Sequence, residues 1–388
     1  MRVGFLFNHD QIHQVAHSLP IAKALAEAHP TTQVILALSN ARIATEVERL
    51  LGGTKPTNLE IVHLRLTSRS SLLLNRLFRR FIPSAKLLLY RDNLDFFKLL
   101  DALVVTERTS LVLKSRYGLD KLPMYLADHG AGDRAIGFGT SAAKFDHILA
   151  AGAKIRDRMI ADAGVAPERI TITGYPKFDT VKSSTPLLPM QANGRPTVLY
   201  NPHVSPHLSS WFDLGNDVLE YFYKNNEYNL IFAPHIMLFQ RRFVMTIDRL
   251  RLSRVGIIKQ KYYEAPNIHI DLGSTASTNM TYTNAADIYL GDVSSQVYEF
   301  MRTPRPCIFL DTHETKYEGD TNYAHWQAGP VVNRISQLNN ALATATVTFA
   351  GYYGAIQNQL FAYTFDLTRE LSSFRAAEEI SRLLGIVG

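Results

Sequence analysis

The sequence predicts an α/β protein of two Rossmann-like domains, each built on a doubly wound parallel sheet. Short apolar runs alternate with helical patterns along nearly the whole chain, and such alternation is typical of βαβ units. A stretch rich in turn-forming residues, from Lys182 to Pro196, interrupts the pattern. The chain of 388 residues is also longer than one core usually supports. We therefore expect domains over residues 1–183 and 196–366 that face each other across a cleft, and a helix at 367–388 that packs back on the first domain.

The predicted strands are short apolar runs bounded by turn formers. In the first domain they cover Val3–Phe7, Val34–Leu38, Leu59–Leu64, Ala102–Val105, Met124–Ala127, His147–Ala150 and Ile170–Ile172, with helices at Gln14–Ala28 and Ala41–Leu51. In the second they cover Thr197–Tyr200, Leu230–Ala233, Ile268–Asp271, Ile288–Leu290 and Cys307–Leu310, with helices near Leu214–Lys224, Arg241–Leu252, Ser295–Arg302 and Gln337–Ala345. Ligands of such sheets bind beyond the carboxyl ends of the strands. The functional residues should therefore follow strands.

The composition excludes several classes of protein. With 46% hydrophobic and 20% charged residues, the chain has the composition of a soluble globular protein. The single cysteine, Cys307, rules out a disulfide framework or a cysteine-based zinc site, and its apolar neighbours place it in a buried strand. No signal-like segment precedes the first predicted strand, and no apolar run is long enough to span a bilayer. These patterns predict a cytoplasmic protein.

Residues 69–91 concentrate positive charge within the net charge of +6. The segment has no acidic residue, interleaves leucine and phenylalanine with its cations, and contains Arg69, Arg76, Arg79, Arg80, Lys86 and Arg91. A basic amphipathic pattern can lie on the anionic inner face of a cell membrane or receive an anionic acceptor. An ordinary helix with its apolar side on the core gives the same pattern. Nucleic acid is disfavoured, because no recognisable binding motif accompanies the charge.

The run from Asn284 to Phe300 reads as a buried strand, a polar turn and a helix that begins at Ser294 and Ser295. The first N–H groups of a helix have no internal partner, and the helix dipole adds positive charge there. A phosphate or diphosphate satisfies both, and the serine hydroxyls can contact the same anion. Glu299 lies on the helix face of Ser295 and can accept hydrogen bonds from ribose hydroxyls. A plain helix cap and a solvent-exposed glutamate are the alternative interpretations.

His129 follows the predicted strand Met124–Ala127 and precedes the small residues Gly130–Gly132. Small residues let a ligand approach closely, and a neutral imidazole can take a proton from a hydroxyl. Asp128 or Asp133 can orient the ring. The alternative is a turn histidine that is hydrogen-bonded to backbone.

Two further segments place polar groups after strands. Gly174–Pro176 predicts a tight turn that holds Lys177 near the domain junction, although an ordinary interdomain turn explains it as well. His203 and His235 each follow a proline after a strand. A donating imidazole there can contact a diphosphate or a leaving phosphate.

Several standard motifs are absent from the sequence. There is no Gly-x-Gly-x-x-Gly after the first strand, which disfavours a nicotinamide cofactor, and no phosphate loop, His-Glu-x-x-His metal motif or nucleophile elbow. No cofactor or metal is required by the residues present, because helix dipoles and histidine charge can stabilise a phosphate.

Taken together, these segments resemble the CDP-glycerol:poly(glycerophosphate) glycerophosphotransferase family of teichoic-acid polymerases and primases. The matches are His129-Gly130, Gly174–Asp179, Ala233–His235 and Asp292–Ser295, which occur in the family's order within residues 120–325. Departures are the residues 131–134 that follow His-Gly, the reversed Pro-His order at Ala233–His235, and Val293, where the family usually has tyrosine.

The resemblance implies a GT-B fold and a transferase of cell-envelope polymer or glycan synthesis. It implies glycerophosphate or similar polyol-phosphate transfer from a nucleotide-diphosphate donor, CDP-linked by preference, to a hydroxyl acceptor that can be lipid-linked. A nucleotide-sugar glycosyltransferase or a UDP-sugar 2-epimerase of the same fold is the alternative. Outside enzymology, the alternative is a catalytically silent nucleotide- or sugar-binding module.

The resemblance also assigns roles to residues of this sequence. His129 is implied as general base and His235 as a contact of the donor phosphate. The residues assigned to donor binding are Ser294, Ser295, Glu299, Asp292, Gly174 and Lys177. Glu299 stands where the family often has aspartate.

Overall fold

The computed structural model describes residues 1–9, 12–78, 84–181, 187–246 and 251–386. The chain forms two compact units. The first unit comprises Met1–Ala131, Phe138–Val181 and Tyr363–Gly388, and the second comprises Gly132–Gly137 and Lys182–Ala362. The predicted break at residues 182–186 lies outside the described residues.

Both units are built on strands of three to six residues, apart from one of two. In chain order they are β1 Arg2–Phe7, β2 Gln33–Leu38, β3 Leu59–His63, β4 Ala102–Val105, β5 Met124–Ala127, β6 His147–Ala150, β7 Ile170–Ile172, β8 Thr197–Asn201, β9 Asn229–Phe232, β10 Phe243–Thr246, β11 Arg251–Arg254, β12 Ile268–Ile270, β13 Ile288–Gly291, β14 Cys307–Leu310 and β15 Val331–Val332. All twelve predicted strands are present to within a residue at either end.

The helices of the described residues vary more in length. They are α1 Val15–Ala28, α2 Ala41–Leu51, α3 Arg69–Phe78, α4 Ser84–Asp92, α5 Leu94–Lys98, α6 Val112–Ser115, α7 Ala153–Ala161, α8 Trp211–Lys224, α9 Gln260–Tyr263, α10 Thr281–Ala285, α11 Gln296–Phe300, α12 Ile335–Thr348, α13 Gly354–Thr364 and α14 Ser372–Leu384. None of them is both long enough and apolar enough to cross a lipid bilayer.

The first unit contains a seven-stranded parallel sheet in the order β3-β2-β1-β4-β5-β6-β7. Alternate residues of each strand point to opposite faces, so that Phe5 and Phe7 enter one apolar cluster and Leu6 enters the other. The cluster with Phe5 also contains Ala376 and Ile380 of α14. The closing helix is therefore part of the core of the first unit.

The second unit contains a six-stranded parallel sheet in the order β12-β9-β8-β13-β14-β15. Its strand order reverses between β8 and β13, which is where ligands of doubly wound sheets bind. Cys307 is buried in β14, as predicted. The two parallel sheets with their helices confirm the predicted fold class.

The helix that the sequence predicts near Arg241–Leu252 is wrong. This region instead contains β10 and β11, which pair antiparallel. Side chains alternate along β10: Phe243 and Met245 are exposed, whereas Thr246 is buried. Alternation with period two is the strand pattern, and here it outweighs the helix propensity of leucine, methionine and arginine.

The basic segment 69–91 forms α3 and α4, which differ in what they bury. Leu89 and Tyr90 of α4 lie in the core of the first unit. Leu73 and Leu77 of α3 are both 59% exposed. The interpretation as a helix with its apolar side on the core therefore holds for α4 and not for α3. The segment's residues 79–83, with two of its arginines, lie outside the described residues.

Candidate functional site

Two histidines lie together at the carboxyl edge of the second sheet. His203 follows β8 and His235 follows β9, and these strands are neighbours in the sheet. Their ring centroids are 5.7 Å apart, and the backbone N–H of His235 donates to the carbonyl of Pro202 at 3.0 Å. The shared position after a strand and a proline thus brings the two imidazoles to one place.

The ring nitrogens of both histidines have polar neighbours. The backbone N–H of Ser205 donates to Nδ1 of His203 at 3.0 Å, and the N–H of Met237 donates to Nδ1 of His235 at 3.3 Å. Because Nδ1 accepts in the neutral ring of His235, its Nε2 carries the hydrogen. Nε2 of His203 instead lies 3.5 Å from Nη1 of Arg134, and a guanidinium group can only donate. His235 can therefore offer an Nε2–H donor to an anionic ligand, and the Arg134 cation lies beside His203.

Burial keeps both imidazoles neutral at pH 7. It lowers the pKa of His235 to about 4. Burial, and then the positive charges of His235, Arg134 and His207, hold the pKa of His203 well below its usual value. An anion bound against these rings would oppose both effects, because it favours the imidazolium.

The lowered pKa of His235 predicts a loss of stability in acid. Between pH 6.5 and 4 the unfolded chain takes up a proton at this residue that the folded chain does not, so the free energy of unfolding falls as the pH falls through that window. We expect wild type to lose about 2 kcal/mol more than His235→Gln between pH 7 and 4 in urea titrations. His63→Gln, which alters an exposed histidine, should behave as wild type. Equal losses in wild type and His235→Gln would contradict the prediction.

Asp292 directly follows β13, and its side chain joins its own turn to the segment between β8 and α8. The fully buried carboxylate accepts hydrogen bonds from the backbone N–H groups of His203 at 2.8 Å and Val293 at 2.7 Å on Oδ1. On Oδ2 it accepts from the N–H and Oγ of Ser210 at 2.7 and 2.8 Å. Burial nevertheless raises its pKa to about 6. These contacts give Asp292 the role of a positioning residue, whereas the predicted direct contact with donor stays a prediction.

The backbone carbonyl of Asp292 is held as firmly as the carboxylate. It accepts hydrogen bonds from Nε2 of His325 at 3.0 Å and Nε1 of Trp326 at 2.9 Å. The other ring nitrogen of His325 lies 2.7 Å from Oδ2 of Asp133. Both nitrogens of His325 thus face acceptors. The turn that leads to Ser294 is consequently fixed from two sides.

Ser294 and Ser295 follow Asp292 in this turn. Ser294 is buried, and its Oγ accepts a long hydrogen bond of 3.4 Å from the N–H of Gln296. Ser295 is exposed, and its side chain makes no capping hydrogen bond to α11. That helix has five residues, so its dipole is small. The serine hydroxyls and the nearby histidines therefore carry the predicted anion site more than the helix dipole does.

Glu299 is buried within α11. The interpretation as a solvent-exposed glutamate is therefore wrong. A contact with ribose hydroxyls stays a prediction.

The short segment Gly132–Gly137 belongs to the second unit and packs against α11. A Cβ on Gly132 would lie 3.2 Å from Cβ of Ser295, which is tighter than an ordinary contact. The Asp133 carboxylate accepts from the hydroxyl of Tyr298 at 2.8 Å and from the backbone N–H of His325 at 2.9 Å. Asp133 thus anchors this segment, in place of the ring-orienting role that the sequence suggests for it.

His129 follows β5 in the first unit and lies at the carboxyl edge of that sheet. Its Nδ1 is 2.7 Å from the carbonyl oxygen of Thr106, so Nδ1 carries the hydrogen and Nε2 carries the lone pair. Asp128 Oδ1 lies 3.8 Å from the same Nδ1. The backbone bond is what the turn-histidine interpretation expects, but it also leaves Nε2 in the form that a general base needs.

Gly174 and Lys177 also lie in the first unit. Gly174 has a φ of +87°, and a Cβ there would lie 2.3 Å from Oγ of Ser372, so packing and backbone geometry already require glycine. Lys177 is buried. Burial, and then the charge of Lys177, holds the pKa of His17 well below its usual value. For neither residue do these contacts address the predicted donor binding.

Sequence reasoning missed the pair His325 and Trp326, which hold the Asp292 carbonyl. The His325–Asp133 contact joins residues 192 positions apart. A contact over this distance in sequence leaves no helix or strand periodicity from which it could be predicted. Among the described residues, no group of three histidine, cysteine or acidic side chains is arranged to hold a metal ion.

Comparison with known proteins shows likeness in fold. No protein-family model matches the chain, and no curated protein matches its sequence. Among solved structures, the wall teichoic acid polymerase TagF aligns over 99% of this chain and 88% of its own, with a TM-score of 0.59 and 13% identity. TagF has also been solved after a soak with CDPG.

Two further structures align over nearly the whole chain. The S. aureus protein MnaA, solved with UDP, matches over 100% of this chain and 97% of its own, with a TM-score of 0.56 and 12% identity. A Listeria monocytogenes protein described as a UDP-N-acetylglucosamine 2-epimerase matches over 98% and 95%, with a TM-score of 0.58 and 12% identity. With the two parallel sheets, these likenesses show that the chain has a GT-B-like fold.

Proposed function

We propose that this protein is a GT-B transferase that binds a nucleotide-diphosphate donor on its second unit. The observation that carries the proposal is the meeting of His203, His235 and the Asp292–Ser295 turn at the carboxyl ends of the adjacent strands β9, β8 and β13. The Nε2–H donor of His235 and two serine hydroxyls suit phosphate oxygens. The specific reaction we propose is glycerophosphate, or similar polyol-phosphate, transfer from a CDP-linked donor to an acceptor hydroxyl.

In this reaction the lone pair on Nε2 of His129 accepts the proton of the acceptor hydroxyl. The hydroxyl oxygen then bonds to the phosphorus that carries the polyol, and the P–O bond to the nucleotide breaks. CMP leaves with the electron pair of that bond, and the histidines and serines of the second unit stabilise its charge. The hydrogen bond from Nδ1 of His129 to the Thr106 carbonyl supports this role, because it leaves the lone pair on Nε2.

A second candidate is supported equally by the fold. The likeness to MnaA and to the Listeria protein favours a nucleotide-sugar enzyme, either a glycosyltransferase or a UDP-sugar 2-epimerase. In a glycosyltransferase, the acceptor oxygen attacks the anomeric carbon and a nucleoside diphosphate leaves. An epimerase would turn over its UDP-sugar without any acceptor. The three reactions can therefore be distinguished by two measurements: whether turnover requires an acceptor, and which nucleotide is released.

The acceptor side of the proposal includes a membrane surface. Leu72, Leu73 and Leu77 of α3 are exposed, and Arg69 and Arg76 of the same helix are exposed beside them. Apolar side chains flanked by arginine fit an anionic lipid surface. We therefore propose a peripheral protein on the inner face of the membrane that acts on a lipid-linked hydroxyl.

The experiment that tests the donor site is nucleotide binding to wild type and to the double variant Ser294→Ala/Ser295→Ala. CDP-, UDP-, GDP- and CMP-linked compounds should include one that raises the melting temperature of wild type. For that compound, we expect the double variant to raise Kd about 10–100-fold, because two hydrogen bonds to a charged group are lost. Ser336→Ala, which alters an exposed serine of the second unit, is the control. An unchanged Kd would remove the serine pair from the site. If none of the nucleotide compounds raises the melting temperature of wild type, the donor proposal is overturned.

A further inference from the structure

The hairpin of β10 and β11 presents an unusual face to the outside. Phe243 pairs with Arg254 and Met245 pairs with Leu252 across the two strands. Because side chains alternate, these four residues share one face, which we call the outer face. On the opposite face Thr246 is buried and Val244 packs against the core of the second unit.

The outer face is apolar where a water-facing strand is normally polar. Phe243, Met245 and Leu252 are 48%, 57% and 62% exposed, and Ile257, just beyond β11, is 75% exposed. Antiparallel strands with one buried face usually carry polar residues on the other. Several large apolar side chains exposed together mark a surface that meets a partner.

The charges around the outer face favour an anionic partner. Arg241, Arg242 and Arg254 are exposed next to the apolar residues. The one acidic residue among residues 235–263 is Asp248, which lies outside the described residues. Two copies of such a basic face would repel each other across a symmetric contact. Arginine side chains can instead place their apolar stems along a lipid surface and their guanidinium groups among the headgroups.

We propose that the outer face of the β10–β11 hairpin docks on an anionic lipid bilayer. Phenylalanine, leucine and methionine would enter the boundary between headgroups and acyl chains, while the arginines pair with lipid phosphates. This docking surface belongs to the second unit and is distinct from α3. It stands independently of the transferase reaction, because lipid binding can be measured without turnover.

The test is a tryptophan probe placed on the outer face. In Phe243→Trp of the full chain, emission should shift to the blue and be quenched by brominated acyl chains in vesicles of phosphatidylglycerol. The native Trp211 and Trp326 are both 2% exposed and should not respond. Val347→Trp, at a position of α12 that is 75% exposed, is the matched control and should not be quenched. If the tryptophan introduced by Phe243→Trp stays unquenched, with vesicles bound or not, the proposal is overturned.

Charge and hydrophobicity can be separated in the same assay. We expect Met245→Glu/Leu252→Glu to lower partition into phosphatidylglycerol vesicles at least 10-fold, and Arg242→Gln/Arg254→Gln to lower it and weaken its dependence on salt. Val347→Glu should leave it unchanged. Quenching of the Phe243→Trp probe that is as strong in phosphatidylcholine vesicles would overturn the anionic surface. If vesicle binding depends only on Leu73 and Leu77, the role of the hairpin is overturned. It is also overturned if the protein does not bind vesicles but self-associates through this face, so that Met245→Glu/Leu252→Glu abolishes the self-association.

Discussion

Replacing His129 by alanine should lower kcat by about 10²–10⁴-fold, the usual contribution of a general base. The ring is oriented by its 2.7 Å hydrogen bond to the Thr106 carbonyl, which keeps the lone pair on Nε2. Nucleotide affinity should stay at the wild-type value, because the proposed donor contacts lie on the second unit. Rates would be measured from release of free nucleotide in the presence of acceptor, and affinity by calorimetry.

The control for this prediction is His63→Ala, which removes an exposed histidine of the first unit and should leave kcat unchanged. If His129→Ala turns over at the wild-type rate, the proton acceptor is another group. If it loses nucleotide affinity instead of kcat, His129 belongs to donor binding.

Removing the Asp292 carboxylate should destabilise the second unit by about 3–5 kcal/mol, because several buried donors lose their acceptor together. Those donors are the N–H groups of His203, Val293 and Ser210 and the hydroxyl of Ser210. We expect Asp292→Ala to melt well below wild type and to lose nucleotide binding, since the loops of His203 and Ser294 would no longer be held.

Asp292→Asn is the matched variant for this prediction. It keeps the size of the side chain and one oxygen, but it turns an NH₂ group toward two donors, and it should fall between alanine and wild type. Because the folded pKa of Asp292, about 6, lies above the unfolded value of 3.8, its contribution to stability is greatest in acid. The advantage of wild type over Asp292→Ala should therefore decline as the pH rises through 6. An Asp292→Ala protein that melts like wild type would contradict the assignment of Asp292 as a positioning residue of the site.

The sheets could be predicted from the sequence because their strands are buried on both faces and read as short apolar runs between turn formers. The stretch Arg241–Leu252 misled the same reasoning. Its arginines, leucines and methionine favour a helix by propensity. The pairing of β10 with β11 is what shows that the region forms strands instead. Strand β15, of two residues, is too short to give any period.

The candidate site divides in the same way. The positions of His129, His203 and His235 could be predicted, because each follows a predicted strand and therefore lies at the carboxyl edge of its own sheet. Their functional roles stay predictions. The burial of Glu299 and the role of Asp292 could not be found, because both depend on contacts with loops distant in sequence. The His325–Asp133 pair, 192 positions apart, is the clearest case.

The path of the chain between the units sets the order in which the protein can be completed during synthesis. The chain passes from one unit to the other four times, at residues 131/132, 137/138, 181/182 and 362/363. The helix Ser372–Leu384 supplies Ala376 and Ile380 to the core that contains Phe5. Since a chain emerges from the ribosome beginning at its N-terminus, the first unit to appear is the last to be finished. Neither unit could be exchanged by recombination of one continuous chain segment, because each unit consists of more than one segment. A chain truncated before residue 372 would lack Ala376 and Ile380, which fill part of the core of the first unit.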